Sequence, residues 1–269
     1  MVNLEFKGKI IVKADIHVVT GLQIGKENSM EIGGIDNPVI KDSLGKPYIP
    51  GSSLKGKLRT LMEYFHGKIK NDVLVVAKGG ENQIRIHQCD EKDCPVCNLF
   101  GRNHGKHRYA SNPDVEVEFK NIMPTRLFVR DALLDENSIT EEMKKNLDNE
   151  FTEVKPENTL DRITSAANPR FNERVPAGAI FKSEFVINVY DDDNEKYLRE
   201  LLTALSLLED DYLGGSGSRG YGKVRFENIK IVYKGKGYYD GSNKELPKKE
   251  LDDLNNWEEK IKDFKLNGD

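Results

Sequence analysis

The clearest structural signal in the sequence is LEFKGKIIVKADIHV at residues 4–18. Apolar side chains and one glycine occupy its even positions, from Leu4 to Val18, and most of its odd positions are polar. A two-residue period is typical of a β-strand that buries one face. We therefore predict that this segment is a sheet strand with a hydrophobic core on one side.

The segments that follow carry alternating helical and strand patterns. Leu54, Leu58 and Leu61 recur at helical spacing, as do Leu201 and Leu205. The predicted helices cover residues 54–65 and 197–208, and the further predicted strands cover 73–77, 84–87, 126–134, 180–190 and 223–233. This order is typical of an α+β fold with a ferredoxin-like (RRM-like) core, in which an antiparallel sheet carries two helices on one face.

The domain organisation follows from the polar stretches between these elements. We expect one domain over residues 1–234, interrupted by insertions at about 20–50, 87–108 and 135–175. The remaining residues, 235–269, are expected to form a helical extension. Its apolar residues recur at helical spacing and are Leu251, Leu254, Trp257, Ile261 and Phe264.

Composition excludes several classes of protein. The chain has 269 residues, of which 37% are hydrophobic and 32% are charged, and no run approaches the roughly 18 apolar residues of a membrane span. Its first residues lack the apolar core of a signal peptide, and three cysteines cannot form an even disulfide framework. We therefore expect a cytoplasmic protein with no membrane partner.

Charge is segregated along the chain, although the net charge is only −4. Residues 41–70 carry seven Lys and Arg against two acidic residues, and residues 212–234 carry five against one. Acidic residues dominate 134–160 and 190–211. This distribution permits a basic face that binds nucleic acid on an acidic body, although ordinary surface charge would give the same pattern.

The segment GGSGSRGYG at residues 214–222 is the most informative candidate site. Five glycines let the backbone approach a ligand closely, and successive amides can bind an anion. Arg219 adds a planar cation suited to phosphate. The loop lies between a predicted helix and a predicted strand, the reverse of the order in Walker and Rossmann phosphate loops, so both are excluded. A flexible connector is the alternative. The candidate RNA-binding residues here are Gly215, Ser216, Gly217, Ser218 and Arg219.

The segment PGSSLKGKLR at residues 50–59 opens the first predicted helix. Ser52 or Ser53 can cap the helix, and the helix dipole favours an anion there. Lys55 and Arg59 lie four residues apart and share a helix face, with Lys57 between them. A phosphate site is one interpretation, and a serine cap with a solvated basic face is the other.

The third candidate site is HQCDEKDCPVC at residues 87–97. His87, Cys89, Cys94 and Cys97 supply one imidazole and three thiolates, which suit a closed tetrahedral zinc site. Such a site is structural and would order a polar insertion. A redox CxxC pair is an alternative, and so is a site in which His104 or His107 replaces His87.

The segments at 49–56 and 214–223, IPGSSLKG and GGSGSRGYGK, together resemble the RAMP superfamily of CRISPR proteins. Two further segments, GGIDNPVIKD at 33–42 and FTEVKPENTLDRIT at 151–164, are similar to the backbone subunit of the type III-A (Csm) effector complex. The resemblance extends, with interruptions, over residues 4–233.

The resemblance implies a fold, partners and an activity. It implies a ferredoxin-like core in which the insertion at 20–50 is a lid and the insertion at 135–175 is a thumb. Family members bind CRISPR RNA in a groove, assemble as a helical filament of copies with other Csm subunits, and place the thumb between guide and target RNA. Arg130 would lie near that groove.

The resemblance also implies that Asp36 is catalytic in cleaving target RNA. The expected reaction is attack of a ribose 2′-hydroxyl on the adjacent phosphate, with Mg²⁺ or another divalent cation bound by the aspartate. The position where relatives often have histidine is Gln23 here, which cannot titrate. Two other functions stay open: a scaffold without catalysis, in which Asp36 is a turn residue ahead of Pro38, and a nuclease that processes the CRISPR RNA precursor.

Overall fold

A computed structural model describes residues 4–25, 35–70, 74–78, 84–103, 105–121, 123–190 and 195–266. The helices are α1 (Gly51–Phe65), α2 (Pro95–Phe100), α3 (Glu141–Lys144), α4 (Lys196–Glu209), α5 (Lys236–Asp240) and α6 (Trp257–Lys260). The strands are β1 (Phe6–Val18), β2 (Tyr48–Ile49), β3 (Leu74–Lys78), β4 (Ile84–His87), β5 (Lys106–Tyr109), β6 (Asn112–Glu118), β7 (Leu127–Val129), β8 (Ala132–Leu134), β9 (Glu153–Leu160), β10 (Ala167–Arg174), β11 (Ile180–Tyr190), β12 (Val224–Gly235) and β13 (Lys248–Asp253).

The largest sheet is antiparallel, with the strand order β13-β12-β1-β11-β8-β2 and with β7 also paired to β11. Strand β1 is central, since Ile10 pairs with Ile187 on one side and with Tyr233 on the other. From Ile10 to Val18 the even-numbered residues of β1 are buried, as the two-residue period predicts. Helices α1 and α4 pack against each other and bury their apolar sides in the same core.

The segment predicted as one strand at 126–134 forms two short strands, β7 and β8. The break falls at Arg130 and Asp131. The Asp131 carboxylate accepts a hydrogen bond from the amide of Gly51 at 2.7 Å, so this part of the chain closes onto the start of α1 instead of continuing the ladder. The predicted strand was therefore too long.

The insertion at 135–175 has more structure than its polarity predicts. It contains the short helix α3 and a two-stranded antiparallel hairpin, β9-β10. The insertion at 87–108 belongs to a further unit, in which α2 accompanies a four-stranded sheet of order β4-β3-β5-β6. Residues 26–34 of the insertion at 20–50 lie outside the described residues.

The helical extension predicted at 235–269 is wrong for residues 248–253. These residues form β13, which pairs with β12 and ends the large sheet. The five apolar residues that suggested a helix are all buried, but the ladder with β12 satisfies the backbone around Leu251. Among residues 235–266, only α5 and α6 are helical. No helix in the described ranges is both long and apolar enough to cross a membrane.

Candidate functional site

The glycine-rich loop at 214–222 joins α4 to β12 and is fastened to the chain that leaves β1. The amide of Gly215 donates to the carbonyl of Gln23 at 2.8 Å, and the amide of Gly222 donates to the carbonyl of Gly21 at 3.1 Å. Gly214 has φ +79°, and a Cβ there would overlap the Gln23 carbonyl. Glycine is required at this position because both the backbone angle and the close approach exclude a side chain.

Helix α1 and the glycine-rich loop both contact the ring of Tyr212, which precedes the loop. Lys57 Nζ lies 3.8 Å from the ring centroid of Tyr212 and 3.2 Å from Asp211 Oδ2. Gly217 packs against this ring so closely that a Cβ would overlap it. The two segments singled out in the sequence, 50–59 and 214–222, are therefore neighbours in space.

The predicted serine caps are wrong. Helix α1 begins at Gly51, whose amide is satisfied by Asp131, and the N-cap position is occupied by Pro50. Ser52 and Ser53 lie inside the first turn, where they are exposed. Gly56 is also exposed on the next turn, with open space where a Cβ would stand. This part of the helix presents small residues to solvent.

The basic residues of α1 turn towards the protein. Lys55 Nζ donates to the Leu127 carbonyl at 2.9 Å, and burial, aided by Arg59, lowers its pKa. The Arg59 guanidinium binds Glu63 and the carbonyls of Gly101 and His87, at 2.6–2.9 Å. These contacts attach α1 to β7 and to the insertion at 87–108, which carries the three cysteines and is called the cysteine-containing insertion below.

Two of the predicted RNA-binding arginines are largely exposed. Arg130 has 67% of its side chain exposed, and its Nε lies 3.9 Å from Glu184. Arg219 has 60% exposed, donates to Ser216 Oγ at 3.0 Å, and lies 3.5 Å from Glu157. Both guanidinium groups can therefore reach a ligand without unfolding any element.

Asp36 lies beside the hairpin β9-β10. Its Oδ2 accepts a hydrogen bond from the amide of Phe171 at 2.8 Å, and the next residue, Asn37, donates to Asn172 Oδ1 at 2.7 Å. Gln23 Nε2 donates to the Asn37 carbonyl at 3.3 Å. The carboxylate is exposed and is held by β10. Gly33 and Gly34, quoted above, lie outside the described residues.

A cleft of about 350 Å³ joins the Asp36 segment to the glycine-rich loop. We call it the hairpin cleft. Its lining comes from the chain after β1, from the hairpin and from the loop, and comprises Gln23, Gly25, Asn37, Glu157, Arg170, Asn172, Gly215, Ser216 and Arg219. The lining is mostly polar and offers donors from three separate chain segments.

Glu157 links the hairpin to the glycine-rich loop. Its carboxylate accepts a hydrogen bond from Tyr221 Oη at 2.7 Å and lies 3.5 Å from the Arg219 guanidinium. The Tyr221 hydrogen bond, with further help from Arg219 and Lys155, lowers the pKa of Glu157. Lys155 Nζ and the Arg174 guanidinium also lie over the Tyr221 ring, at 4.5 and 5.1 Å.

The chain segment that carries Asp36 is held in place by Glu173, a buried residue that is 2% exposed. Its carboxylate accepts hydrogen bonds from the Val39 amide at 2.9 Å, Lys41 Nζ at 2.6 Å and Thr152 Oγ1 at 2.5 Å. Burial raises the pKa of Glu173, but these hydrogen bonds outweigh burial and leave the pKa below its ordinary value.

The cysteine cluster brings its four predicted residues together. The side-chain donor atoms of His87, Cys89, Cys94 and Cys97 all lie within 4.8 Å of one another and could hold a metal ion. The Cys89 and Cys97 sulfurs are 3.8 Å apart, and His87 Nε2 is 3.5 Å from the Cys94 sulfur. His107 instead contacts the Asn103 carbonyl and stacks on Phe119, and His104 lies outside the described residues.

The electrostatics of this cluster favour a cation. Hydrogen bonds from Cys89 and Cys97 lower the pKa of Cys94. Hydrogen bonds with Cys94 and Cys97 raise the pKa of Cys89. Burial lowers the pKa of His87, but its contacts with Cys94 and Cys97 outweigh burial and raise it to about 9. Neighbouring thiols resist simultaneous ionisation unless a positive charge lies between them.

Sequence reasoning missed several residues that line the hairpin cleft or support the segments around it. Arg170, Asn172 and Glu173 lie in a polar segment that gives no periodic signal, and Tyr212 precedes the glycine-rich loop as an isolated aromatic residue. Strand pairing could have pointed to the three hairpin residues, because 153–160 and 167–174 are of equal length around a short polar turn. No such signal points to Tyr212.

The RAMP superfamily model matches residues 9–225. The chain belongs to the RAMP superfamily. Among similar proteins, the CRISPR system Cms endoribonuclease Csm3 of Methanocaldococcus jannaschii is 43% identical over 259 residues, covering 94% of this chain and 92% of that protein. The protein of the same name from Streptococcus thermophilus is 40% identical, covering 83% of this chain and 90% of its own length. This RAMP chain therefore belongs to the Csm3 family.

Solved structures show the same similarity. A chain in the crystal structure of the Csm3–Csm4 subcomplex of the type III-A CRISPR-Cas interference complex is 32% identical, with a TM-score of 0.58. The alignment covers 96% of this chain and 97% of that chain. Methanopyrus kandleri Csm3 is 27% identical, with a TM-score of 0.53 over 87% of this chain and 79% of its own.

Proposed function

We propose that this chain is a backbone subunit of a type III-A CRISPR ribonucleoprotein that binds CRISPR RNA and cleaves complementary target RNA. The observation that carries the proposal is the hairpin cleft, in which the Asp36 segment and the glycine-rich loop share one polar space. The similar proteins are named endoribonucleases, and one solved relative belongs to a type III-A interference complex. The proposed partners are CRISPR RNA, target RNA, further copies of the chain and other Csm subunits.

The proposed path of the guide RNA runs over the start of α1 and the glycine-rich loop. Ser52, Ser53 and Gly56 leave room there for a sugar-phosphate backbone, and the loop amides with Arg219 supply donors and charge. Arg130 supplies a second exposed cation. We assign Lys55, Lys57 and Arg59 an indirect part in this path, because their contacts hold α1 against the rest of the protein.

Asp36 is the proposed catalytic residue. The Phe171 amide fixes Oδ2, and the exposed carboxylate can then face a ribose 2′-hydroxyl or the phosphate next to it. An exposed carboxylate suits a hard cation such as Mg²⁺, which would be bound by Asp36 and would offset charge on the phosphate when present. Substrate positioning then depends on the hairpin, since Asp36 and Asn37 are both attached to β10.

The cysteine cluster is proposed to bind structural zinc through His87, Cys89, Cys94 and Cys97. Two sulfurs bound tetrahedrally at about 2.3 Å from zinc are about 3.8 Å apart, and the Cys89 and Cys97 sulfurs are separated by 3.8 Å. Four protein ligands leave no position for a substrate. The cluster lies where β4, α2 and Arg59 meet, so a metal there would fasten the insertion to α1.

We also infer that the core, residues 1–234, is ferredoxin-like. The strand order β12-β1-β11, with β7 and β8 beyond β11 and with helices α1 and α4 in the two crossovers, supports this inference. The segment at 20–50 would be the lid and the insertion at 135–175 the thumb, whose most exposed apolar residue is Ile163 at the hairpin turn.

Cleavage by the assembled, guide-loaded complex tests the catalytic proposal. Asp36→Asn retains an acceptor for the Phe171 amide but loses the charge, so both it and Asp36→Ala are expected to slow cleavage of complementary RNA by about 100-fold or more. Removing divalent cations with EDTA should stop the wild-type reaction. Asp114→Asn, which neutralises an exposed carboxylate on β6, is the control and should cut at the wild-type rate.

Guide content and target affinity are measured in the same samples. Full assembly and target binding with equal cleavage by wild type and Asp36→Asn would refute catalysis by Asp36 and leave a scaffold role. Cleavage of CRISPR RNA precursor by the isolated chain in EDTA would instead indicate a processing nuclease.

A further inference from the structure

We propose that Arg170 is a second catalytic residue, which binds the non-bridging oxygens of the phosphate cleaved beside Asp36. This inference rests on the proposed function and assigns a role to a residue outside the motifs of the sequence. It depends on where β10 places the Arg170 side chain, on the charges around it, and on the chemistry of phosphate at that place.

The pairing of the hairpin determines the direction of Arg170. Within β9-β10, Arg174 is opposite Glu153, Asn172 is opposite Lys155, and Arg170 is opposite Glu157. Alternate residues of a strand share a face. Lys155 and Arg174 lie over the Tyr221 ring, and Glu157 accepts a hydrogen bond from Tyr221. Asn172 is bound to Asn37, and Arg174 is bound to Glu153. This face of the hairpin therefore lies on the side of the glycine-rich loop. Arg170 is the next position along the same face, and it is one of the residues that line the hairpin cleft.

Asp36 lies at the backbone edge of the same strand. Its Oδ2 is bound to the amide of Phe171, the residue directly after Arg170. Asn37 forms an isolated bridge with Asn172 and is bound to its side chain. Strand β10 thus binds the Asp36 carboxylate through a backbone amide and contributes Arg170 to the adjoining cleft.

Arg170 differs from its neighbours in having no carboxylate partner in the part of the chain that the structure describes. Arg219 lies 3.5 Å from Glu157, and Arg174 lies 2.6 Å from Glu153. Glu157, opposite Arg170, is bound to Tyr221 and lies near Arg219 and Lys155 instead. Arg170 is exposed, so its guanidinium is available to an anion that enters the cleft.

A phosphodiester is the anion that suits this position. In the proposed reaction the ribose 2′-oxygen forms a bond to phosphorus and the bond from phosphorus to the 5′-oxygen breaks. The proton lost by the 2′-hydroxyl is matched by one that the 5′-oxygen takes from water. Negative charge on the non-bridging oxygens grows on the way to this transition state, and the two parallel N–H groups of a guanidinium can bind both oxygens.

The test is single-turnover cleavage by the guide-loaded complex at saturating target RNA. Arg170→Ala is expected to slow cleavage by about 100-fold, the usual effect of removing one donor to a developing oxyanion. Its affinity for target should fall less than about fivefold, the scale of one exposed charge. Arg170→Lys should recover part of the rate. Arg199→Ala removes an exposed guanidinium from α4 and should match wild type.

A sulfur-substituted target distinguishes contact with the phosphate from a structural effect. One non-bridging sulfur at the cleaved phosphate should slow the wild-type complex but add little to the defect of Arg170→Ala, because the two changes remove the same interaction. Additive effects would contradict the contact. So would a wild-type rate for Arg170→Ala, or a defect that disappears as target concentration rises.

Asp36→Ala in parallel separates this inference from the proposed function. Normal cleavage by Asp36→Ala would overturn both. An inactive Asp36→Ala with a fully active Arg170→Ala would overturn only the role of Arg170.

Discussion

Glu173 is a buried carboxylate whose two oxygens contact four groups. Besides Val39, Lys41 and Thr152, Asn149 Nδ2 donates to it at 3.3 Å. Because Val39 and Lys41 belong to the segment that carries Asp36, this one carboxylate connects that segment to β10. A hydrogen bond to a charged group contributes about 1.5–3 kcal/mol, more than one between neutral groups.

We predict that Glu173→Gln lowers the free energy of unfolding by about 1–3 kcal/mol at pH 7. The folded-state pKa of Glu173 lies below its ordinary value of 4.5. Its contribution to stability is therefore complete above pH 4.5 and is lost as the pH falls through the folded-state pKa. Denaturant unfolding at several pH values measures this. A difference between wild type and variant that widens towards acid pH would contradict the prediction, and Glu118→Gln, at an exposed position, is the control.

The chemistry of single residues was partly predictable. Three thiols and an imidazole at short spacing predict a metal-binding cluster, and the structure brings all four side chains together in a group that could hold a metal ion. The direction of a long basic side chain was not predictable. Lys55 and Arg59 are residue types that commonly bind phosphate, but here their side chains donate hydrogen bonds to backbone carbonyls of the protein. The positions of those carbonyls depend on the tertiary fold, so the sequence alone does not reveal these contacts.

Among the elements, the cysteine-containing insertion makes the sharpest prediction. We expect about one equivalent of zinc by elemental analysis, with loss of metal in Cys94→Ser and His87→Gln because a closed site needs all four ligands. Loss of metal should expose residues 84–118 to proteolysis, since a polar insertion of this size has little core of its own.

His107→Gln is the matched control for the zinc prediction. It removes the other described histidine of the insertion, which faces Asn103 and Phe119. It should therefore retain the metal. Loss of metal from Cys94→Ser with unchanged protease resistance and unfolding temperature would contradict a structural role.

Long elements with one buried face were predictable, and short or exposed ones were not. Strand β11 and helix α4 agree with the predicted ranges to within one residue at each end. Over eleven and fourteen residues, the spacing of the apolar side chains repeats often enough to be recognised. The hairpin β9-β10 is mostly exposed, so its pattern carries no apolar alternation. Leu251 is buried, as predicted, but it lies in a strand and not in the predicted helix. A strand and a helix can bury the same residues.

At the scale of the whole molecule, charge segregation should govern the salt dependence of RNA binding. Arg219 belongs to the basic segment 212–234 and is 60% exposed at the glycine-rich loop. We predict that Arg219→Ala weakens binding of guide RNA regardless of sequence and lowers the slope of log affinity against log salt by about 1. Arg199→Ala, in the acidic segment 190–211, should leave the slope unchanged. An unaltered slope in Arg219→Ala would contradict a phosphate contact at the loop.

Strand β13 has a consequence for solubility. Strand β12 pairs with β1 on one side, and on the other β13 covers residues 227–232 of its twelve-residue length. An uncovered strand of that length is a template on which further chains can add. The segment that covers it begins with the charged side chains of Lys248, Lys249 and Glu250, a common protection against edge-to-edge aggregation. We therefore expect this charged covering strand to limit self-association along this edge of the sheet.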